Sequence, residues 1–268
     1  MLRKIWAFAR RDWQAQRSYR LSSILQIFTF VVPMIGLYFV SQLFDSTEMD
    51  GLDRFGGRYI PFVLVGGLVV SFSGVASGSF VGSLRGAQIR GTLEGLLLTR
   101  TGLGVMFFGW TLYPLIRATL MTSVMFTAAM IIIGVDFSQA NPIAAILIVV
   151  LMASVLACIG LWVGTFALVF KQSDPLTRGI FIITGLVSGA AYPVEILPNW
   201  LQLIARVIPH THALEGIRLV VLRGYSVADI STNLGVLLLY LAILLPFGLW
   251  IFGKGMRKAK LDGSLSQY

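Results

Sequence analysis

Six long apolar runs dominate this 268-residue chain and limit the folds that it can adopt. Each run can cross a hydrocarbon core of about 30 Å, because an α-helix rises about 1.5 Å per residue. Charged residues make up only 12% of the chain, against about 25% in soluble domains. The runs are 21–44, 59–81, 104–134, 142–170, 176–192 and 234–252. The sequence therefore predicts an all-α polytopic membrane protein with six transmembrane helices.

Basic residues between the runs predict the orientation of the chain. Most of the 21 Lys and Arg residues lie in the N-terminal segment, the second and fourth connections and the C-terminal tail. Cytoplasmic loops carry such an excess, so we expect a multi-pass protein of the cell inner or plasma membrane with both termini in the cytoplasm. The basic residues form short clusters and not the continuous face that nucleic acid requires. Contact with membrane lipid is their expected use.

The N-terminal segment 1–20 is basic and amphipathic. At about 100° per residue, Trp6 and Trp13 share one face with other apolar residues, and the basic residues lie opposite. We expect a helix in the plane of the membrane interface. A signal peptide is the competing interpretation, but the next run, 21–44, is longer than an h-region of about 7 to 15 residues. The chain then consists of this interfacial helix and one transmembrane domain, 21–268.

The segment 84–100, between the second and third runs, combines apolar and charged residues at helical spacing. It predicts a short amphipathic helix on the cytoplasmic surface of the membrane. Such a helix either rests on lipid or docks to a partner protein. The residues concerned are Ile89, Leu93, Leu96 and Leu97 on one face, with Arg90 and Glu94 one turn apart beside them.

The segment 193–231 predicts two short apolar helices on the outer side of the membrane. The first would run from 198 to 207, and Pro209 would stop it. The second would begin with Thr211 as its cap and end at Gly224. Neither is long enough to cross the membrane, so we expect a re-entrant hairpin covered by protein or lining a water-filled cavity.

Two of these segments resemble ABC-2 type transporter permeases, which are the membrane subunits of ATP-driven exporters. Residues 91–94 (GTLE), followed by two Leu residues, are similar to the cytoplasmic coupling segment of that family. Pro209, Arg218 and Gly224 are similar to its pattern of a Pro, an Arg and a Gly in the re-entrant helices before the last span. Together with the six runs, the resemblance covers nearly the whole chain.

The resemblance implies functional residues and partners. The coupling helix 84–100 would contact a P-loop ATPase subunit through an apolar seat that includes Leu93. That subunit would bind ATP and Mg²⁺, so no cofactor is expected in this chain. A second copy of the chain or a homologous permease would complete the transporter. The implied coupling residues are Ile89, Arg90, Thr92, Leu93, Glu94 and Leu96, and those of the re-entrant region are Pro209, His210, Glu215, Arg218 and Gly224.

Motifs of several other protein classes are missing from the sequence. No acidic residue falls inside a predicted span, although many ion-coupled carriers depend on one there. No G-x-x-x-x-G-K-[ST] motif is present, so the chain has no P-loop for nucleotide phosphates. His210 and His212 would point apart on a helix, which argues against a metal site. Cys158 is the single Cys, so no intrachain disulfide can form.

Arg117 lies about 20 Å along the third apolar run. A charge at that depth costs at least ~2.5 kcal/mol on insertion scales and usually faces the protein interior or a cavity. Arg117 therefore either lines the substrate pathway, or the span begins outside the bilayer and Arg117 reaches headgroups or the carbonyls that Pro114 leaves free. The sequence keeps both interpretations open.

The predicted function is that of the permease subunit of an ATP-binding cassette exporter. The expected substrate is amphipathic or lipid-linked, meaning a lipid, a glycolipid or polysaccharide, or a hydrophobic drug, moved outward with ATP hydrolysed by a separate subunit. Such a chain transports and is not itself an enzyme. The alternatives are an ion-independent membrane carrier, or a membrane-embedded enzyme or scaffold that is not coupled to an ATPase.

Overall fold

The computed structural model describes residues 2–18, 51–99, 101–170 and 174–261, with a few isolated positions between 32 and 39. The regular elements of these residues are α-helices and two short 3-10 turns. The helices are α1 Leu2–Ser18, α2 Tyr59–Ile89, α3 Thr92–Leu98, α4 Leu103–Ile133, α5 Pro142–Phe170, α6 Asp174–Val187, α7 Asn199–Val207, α8 Pro209–Arg223 and α9 Ser231–Leu261. The 3-10 turns are Asp53–Phe55 and Val194–Ile196.

Four of the described helices, α2, α4, α5 and α9, are long and apolar enough to cross a membrane. They coincide with four of the six predicted spans. The first predicted span, 21–44, lies outside the described residues. The predicted fifth span, 176–192, overlaps α6, which has 14 residues and is followed by a turn with Gly189 at φ 77°. A helix of that length is too short for a core of about 30 Å.

Helix α5 is central to the bundle, because α2, α8 and α9 all pack against it. Glycines in α5 permit this close approach. A methyl group at Gly160 would overlap the carbonyl oxygen of Ser77 in α2, and one at Gly164 would lie 2.9 Å from the ring of Phe80. At Gly78 in α2, by contrast, a methyl group would point into open space among the described residues. The small residues of α5 therefore serve packing within the chain.

Buried side chains form two clusters, one toward each end of the long helices. The α8-side core joins α8 to the N-terminal halves of α2 and α5. The α3-side core joins α1, α3 and the start of α4 to the C-terminal halves of α2, α5 and α9. Fully buried members include Phe62, Ile148 and Leu214 in the α8-side core, and Phe80, Leu93, Trp110, Leu161 and Phe252 in the α3-side core.

Helix α1 packs against α4 with one face and leaves a different face exposed. The rings of Phe8 and Trp110 meet edge to face with centroids 6.3 Å apart, and Gly109 leaves the space that the Phe8 ring occupies. The indoles of Trp6 and Trp13 stay 70% and 52% exposed. The amphipathic pattern thus predicted the exposed tryptophans but not the packing of Phe8 against the protein.

The predicted helix 84–100 is two helices. Helix α2 continues to Ile89, and the backbone then turns at Gly91, whose φ of 64° lies in the left-handed region. Helix α3 starts at Thr92, and the Thr92 hydroxyl donates to the carbonyl oxygen of Ala87 at 3.2 Å. Glycine adopts this conformation without steric cost. The turn breaks the helical period, so Ile89 does not share a face with the apolar residues of α3.

The glycines of α2 and α5 give a matched test of this packing. We expect Gly160→Ala to destabilise the protein by about 1–3 kcal/mol, because the added methyl group forces α2 and α5 apart. Gly78→Ala should leave stability unchanged or raise it by up to ~1 kcal/mol, because alanine is the better helix former. Thermal unfolding of the detergent-solubilised variants measures both. Equal stability of the two variants would contradict the contact between Gly160 and Ser77.

Candidate functional site

The first candidate site is the corner between the two long helices α2 and α4. We call residues 89–99 the α3 corner. The side chains of Ile89 and Leu98 are 75% and 90% exposed, and Arg90 and Glu94 are also exposed. Exposed apolar groups with polar neighbours mark interaction sites. The corner therefore offers two aliphatic side chains and two opposite charges to a partner.

Leu93 of helix α3 lies in the interior of the chain. Its side chain is 0% exposed and belongs to the α3-side core, with Leu84 and Met106. Leu96 and Leu97 are half-buried and pack against the same core. In this chain Leu93 therefore packs inward, and its place in an apolar seat for the ATPase stays a prediction. Leu93 anchors α3 to its own chain.

Arg117 lies near the middle of α4, three residues after the Pro114 inside that helix. It is about 21 Å from the start of α4 at Leu103, and its side chain is half-buried. The helix is continuous on both sides of it. The structure does not bring Arg117 into the α3 corner or into the cavity described below, and its role in a substrate pathway stays a prediction.

The second candidate site is built around Arg218 in α8, which is 3% exposed. Its guanidinium donates to the carbonyl oxygen of Phe62 in α2 at 3.2 and 3.3 Å. It also donates to the carbonyl oxygens of Gly189 at 2.8 Å and Ala190 at 2.6 Å, in the turn after α6. One side chain thereby connects three segments that are far apart in the sequence.

Aromatic rings and a glycine complete the surroundings of Arg218. The guanidinium carbon lies 3.4 Å from the ring centroid of Phe62 and 5.8 Å from that of Phe55, and such cation–π contacts are attractive. A methyl group at Gly66 would overlap the carbonyl oxygen of Ala190 and lie 2.6 Å from Nη2 of Arg218. Only glycine at that position lets α2 approach the turn closely enough.

Acidic side chains lie close to this buried cation. Arg54 pairs with Glu215 at 2.7 Å and with Glu195 at 3.5 Å, and both carboxylates line one cavity of about 320 Å³ with Arg218. The Arg54 side chain is 58% exposed, so its ion pairs contribute little to stability. The cavity is also lined by Gln202, Arg206, Thr211 and His212. It is a polar chamber of mixed charge.

The two predicted short helices are present, and one boundary differs. Helix α7 ends at Val207, as predicted. Helix α8 begins at Pro209 and not at Thr211, because a Pro in the first helical turn has no amide that needs a partner. Gly224 ends α8 at φ 68°. The Thr211 side chain is buried and makes no hydrogen bond to the described residues, so it is not the cap.

His210 and His212 point into different cavities. His212 contacts the carbonyl oxygen of Arg206 at 2.8 Å and lines the polar chamber. His210 is 3% exposed, and neither ring nitrogen has a hydrogen-bond partner among the described residues. It lines a small cavity with Ser73 and Ser77 of α2 and apolar side chains. The cavity thus combines hydrogen-bonding groups with an apolar wall.

Sequence reasoning named Arg218 and Glu215 but missed their partners. No sequence motif included Arg54, Glu195 or Gly66. Arg54 and Glu215 are separated by 161 residues. One signal was available for Arg54, because it lies, with Arg58, in a connection that also holds four acidic residues. Its pairing with the carboxylates of the outer helices could have been expected from that charge. The Phe62 and Gly189 carbonyl groups could not, because every residue carries one.

Arg218 gives a direct test of the second site. Arg218→Met removes the donor from three buried carbonyl oxygens, and an unsatisfied buried group costs about 1–3 kcal/mol, so we expect a loss of at least ~2 kcal/mol in stability. Arg218→Lys should be intermediate, because an ammonium lacks the planar fork. Arg58→Gln, which removes an exposed arginine that precedes α2, is the control. Thermal unfolding in detergent measures all three, and wild-type stability of Arg218→Met would refute the proposed connection.

Comparison with known proteins gives a consistent result. The sequence profile described as ABC-2 type transporter matches residues 3–222. The linearmycin resistance permease protein LnrN of Bacillus subtilis is 25% identical over 220 residues, which are 82% of this chain and 54% of LnrN. Nodulation protein J of Rhizobium leguminosarum bv. trifolii is 27% identical over 72% of this chain and 73% of its own length. The inner membrane transport permease YadH of Escherichia coli is 26% identical over 96% of this chain and 100% of its own. The match thus spans about half of LnrN and the whole of YadH.

Proposed function

This chain belongs to the ABC-2 type transporter family, and from that premise we propose that it is the membrane subunit of an ATP-driven exporter. The observation that carries the proposal is the family match, which includes both candidate sites. The ATP and its Mg²⁺ would be bound by a separate P-loop ATPase subunit. The family membership favours this function over an uncoupled carrier, an enzyme or a scaffold.

We propose the α3 corner as the contact for the ATPase. Ile89 and Leu98 would form the apolar part of the contact, since both are largely exposed. Arg90 and Glu94 would add charge complementarity, which fixes register more than it adds affinity. Leu93 would transmit the contact inward, because it belongs to the same core as the long helices.

This division of roles predicts distinct phenotypes at the corner. Ile89→Ser and Leu98→Ser should each weaken co-purification of the ATPase about tenfold or more, because burying such a side chain contributes ~1.5–3 kcal/mol. Leu93→Ala should instead destabilise the permease itself by ~2–5 kcal/mol. Glu94→Ala should leave the complex assembled but reduce transport. Affinity capture of the ATPase, with thermal unfolding of each variant, separates these effects.

Leu239→Ser is the matched control, because Leu239 is 61% exposed on α9 and outside the corner. It should retain the ATPase. Wild-type capture by both Ile89→Ser and Leu98→Ser would place the ATPase contact elsewhere.

We propose the orientation with both termini and the α3 corner in the cytoplasm and α7 on the outer side, in a cell membrane. The exposed residues Asn199 and Thr99 allow a test, because the native Cys158 is buried and gives little background. Asn199→Cys should react with an impermeant maleimide in intact cells, whereas Thr99→Cys should react only after permeabilisation. The reverse pattern would invert the topology.

The proposed substrate is amphipathic and moves outward. The name of LnrN reports resistance to linearmycin, which agrees with export of an organic compound. A second copy of the chain or a homologous permease would complete the pathway. Among the described residues, no atom lies within 4 Å of a methyl group added at Gly78 or Gly82, which suits contact with another helix.

Transport direction can be measured in inside-out vesicles that contain the permease and its ATPase. A fluorescent phospholipid and linearmycin serve as the two amphipathic probes. ATP-dependent movement of either probe toward the vesicle interior supports export. ATP-dependent movement in the opposite direction would contradict the proposed direction.

A further inference from the structure

A groove between α5 and α9 lies outside both candidate sites. Its volume is about 530 Å³, within the ~300–1,000 Å³ that is usual for ligand pockets. Its α5 wall is apolar and includes Ile159, Trp162, Phe166 and Phe170. The rings of Phe166 and Phe170 stack with centroids 4.3 Å apart and remain 41% and 60% exposed. The groove thus offers a continuous apolar surface along the bundle.

The shape of the groove is fixed by the packing beneath it. Gly255 lets α9 approach α5 so closely that a methyl group there would lie 2.5 Å from Thr165. The indole of Trp162 lies over Gly248, and its N–H donates to the carbonyl oxygen of Leu244 at 3.3 Å. Because its polar atom is satisfied, Trp162 presents only its ring to the groove. The site is therefore preformed.

Two lysines mark one end of the groove. Lys254 and Lys258 line it and lie one turn apart on α9. Lys254 follows Ser231, the first residue of α9, by 23 positions, which is about 35 Å of helix. A helix that enters a core of about 30 Å near its start therefore has these lysines at headgroup level. The Lys254 ammonium lies 3.7 Å from the ring centroid of Trp250, an aromatic residue type typical of that level.

We propose that this groove binds an anionic phospholipid, with the phosphate at Lys254 and Lys258 and one acyl chain along the apolar wall of α5. The charge pattern supports a lipid, since the described lining residues include two cations and no carboxylate. Basic residues at a membrane surface attract anionic headgroups, and the apolar wall accepts a hydrocarbon chain. A helix from a second copy would need acidic groups at this level to satisfy both lysines. The proposal rests on neither the ATPase contact nor the transport direction.

Trp162 provides the readout, because bromine atoms on an acyl chain quench indole fluorescence on contact. The protein is placed in phosphatidylcholine vesicles that contain the same small fraction of either dibrominated phosphatidylglycerol or dibrominated phosphatidylcholine. The difference between the wild-type chain and Trp162→Phe isolates the contribution of Trp162 from the other tryptophans. We expect the anionic lipid to quench this contribution several-fold more effectively than the zwitterionic one.

Lysine substitutions then test the headgroup contact. Lys254→Gln and Lys258→Gln should each lower the preference for phosphatidylglycerol about fivefold, which corresponds to the ~1 kcal/mol of a basic residue near an anionic surface. Both side chains are exposed, so folding should be unaffected. Arg257→Gln is the matched control, because it removes one charge from the same turn without lining the groove, and it should keep the wild-type preference.

Three results would overturn the proposal. Equal quenching by the two lipids would show that the lysines do not select an anionic headgroup. Loss of quenching on addition of inorganic phosphate would show that the site binds a phosphate group alone and not a lipid. Absence of any contribution from Trp162 would show that a second copy or another segment of the chain covers the groove.

Discussion

The described structure depends on one buried cation. Arg218 ties α8 to the start of α2 and to the turn after α6, through carbonyl oxygens that belong to segments up to 156 residues away. A buried charge is costly unless its hydrogen bonds are satisfied. Here the carbonyl groups, two aromatic rings and the nearby carboxylates Glu195 and Glu215 offset that cost. The contact holds α8 against α2 where the polar chamber borders the α8-side core.

Helix α2 relates the two candidate sites. Phe62, which accepts the Arg218 hydrogen bonds, and Ile89, which is exposed at the α3 corner, are ends of the same uninterrupted helix. The 27 positions between them span about 40 Å. The helix passes from the α8-side core into the α3-side core and contacts α5 along the way. A displacement of the corner as a rigid body would therefore move the carbonyl oxygen on which Arg218 depends.

Sequence patterns predicted the parts of this fold that depend on length and local chemistry. Four spans followed from the length of apolar runs. The second short helix, predicted with Thr211 as its cap, ends before Gly224 as predicted but begins at Pro209. The break at Gly91 was missed, because a glycine in the middle of a helix costs only about 0.5–1 kcal/mol relative to alanine. A local pattern therefore cannot tell a helical glycine from one in a left-handed turn. The partners of Arg218 were missed for another reason, since contacts across such sequence distances leave no local period. Burial of Leu93 could not be predicted either, because an apolar helix face has the same sequence pattern whether it packs on its own chain or on a partner.

Helix α3 has the construction of a lever. Gly91 separates it from α2, the extended backbone at Thr99 separates it from α4, and the buried Leu93 lies one residue into the helix while Leu98 projects at the far end. Force applied at Leu98 would act about five residues, or ~7.5 Å, from that fulcrum. Helix α3 can transmit motion only if Leu93 stays firmly packed in the α3-side core. The tight packing of Leu93 therefore determines how far a partner could displace α3 before α2 and α4 move with it.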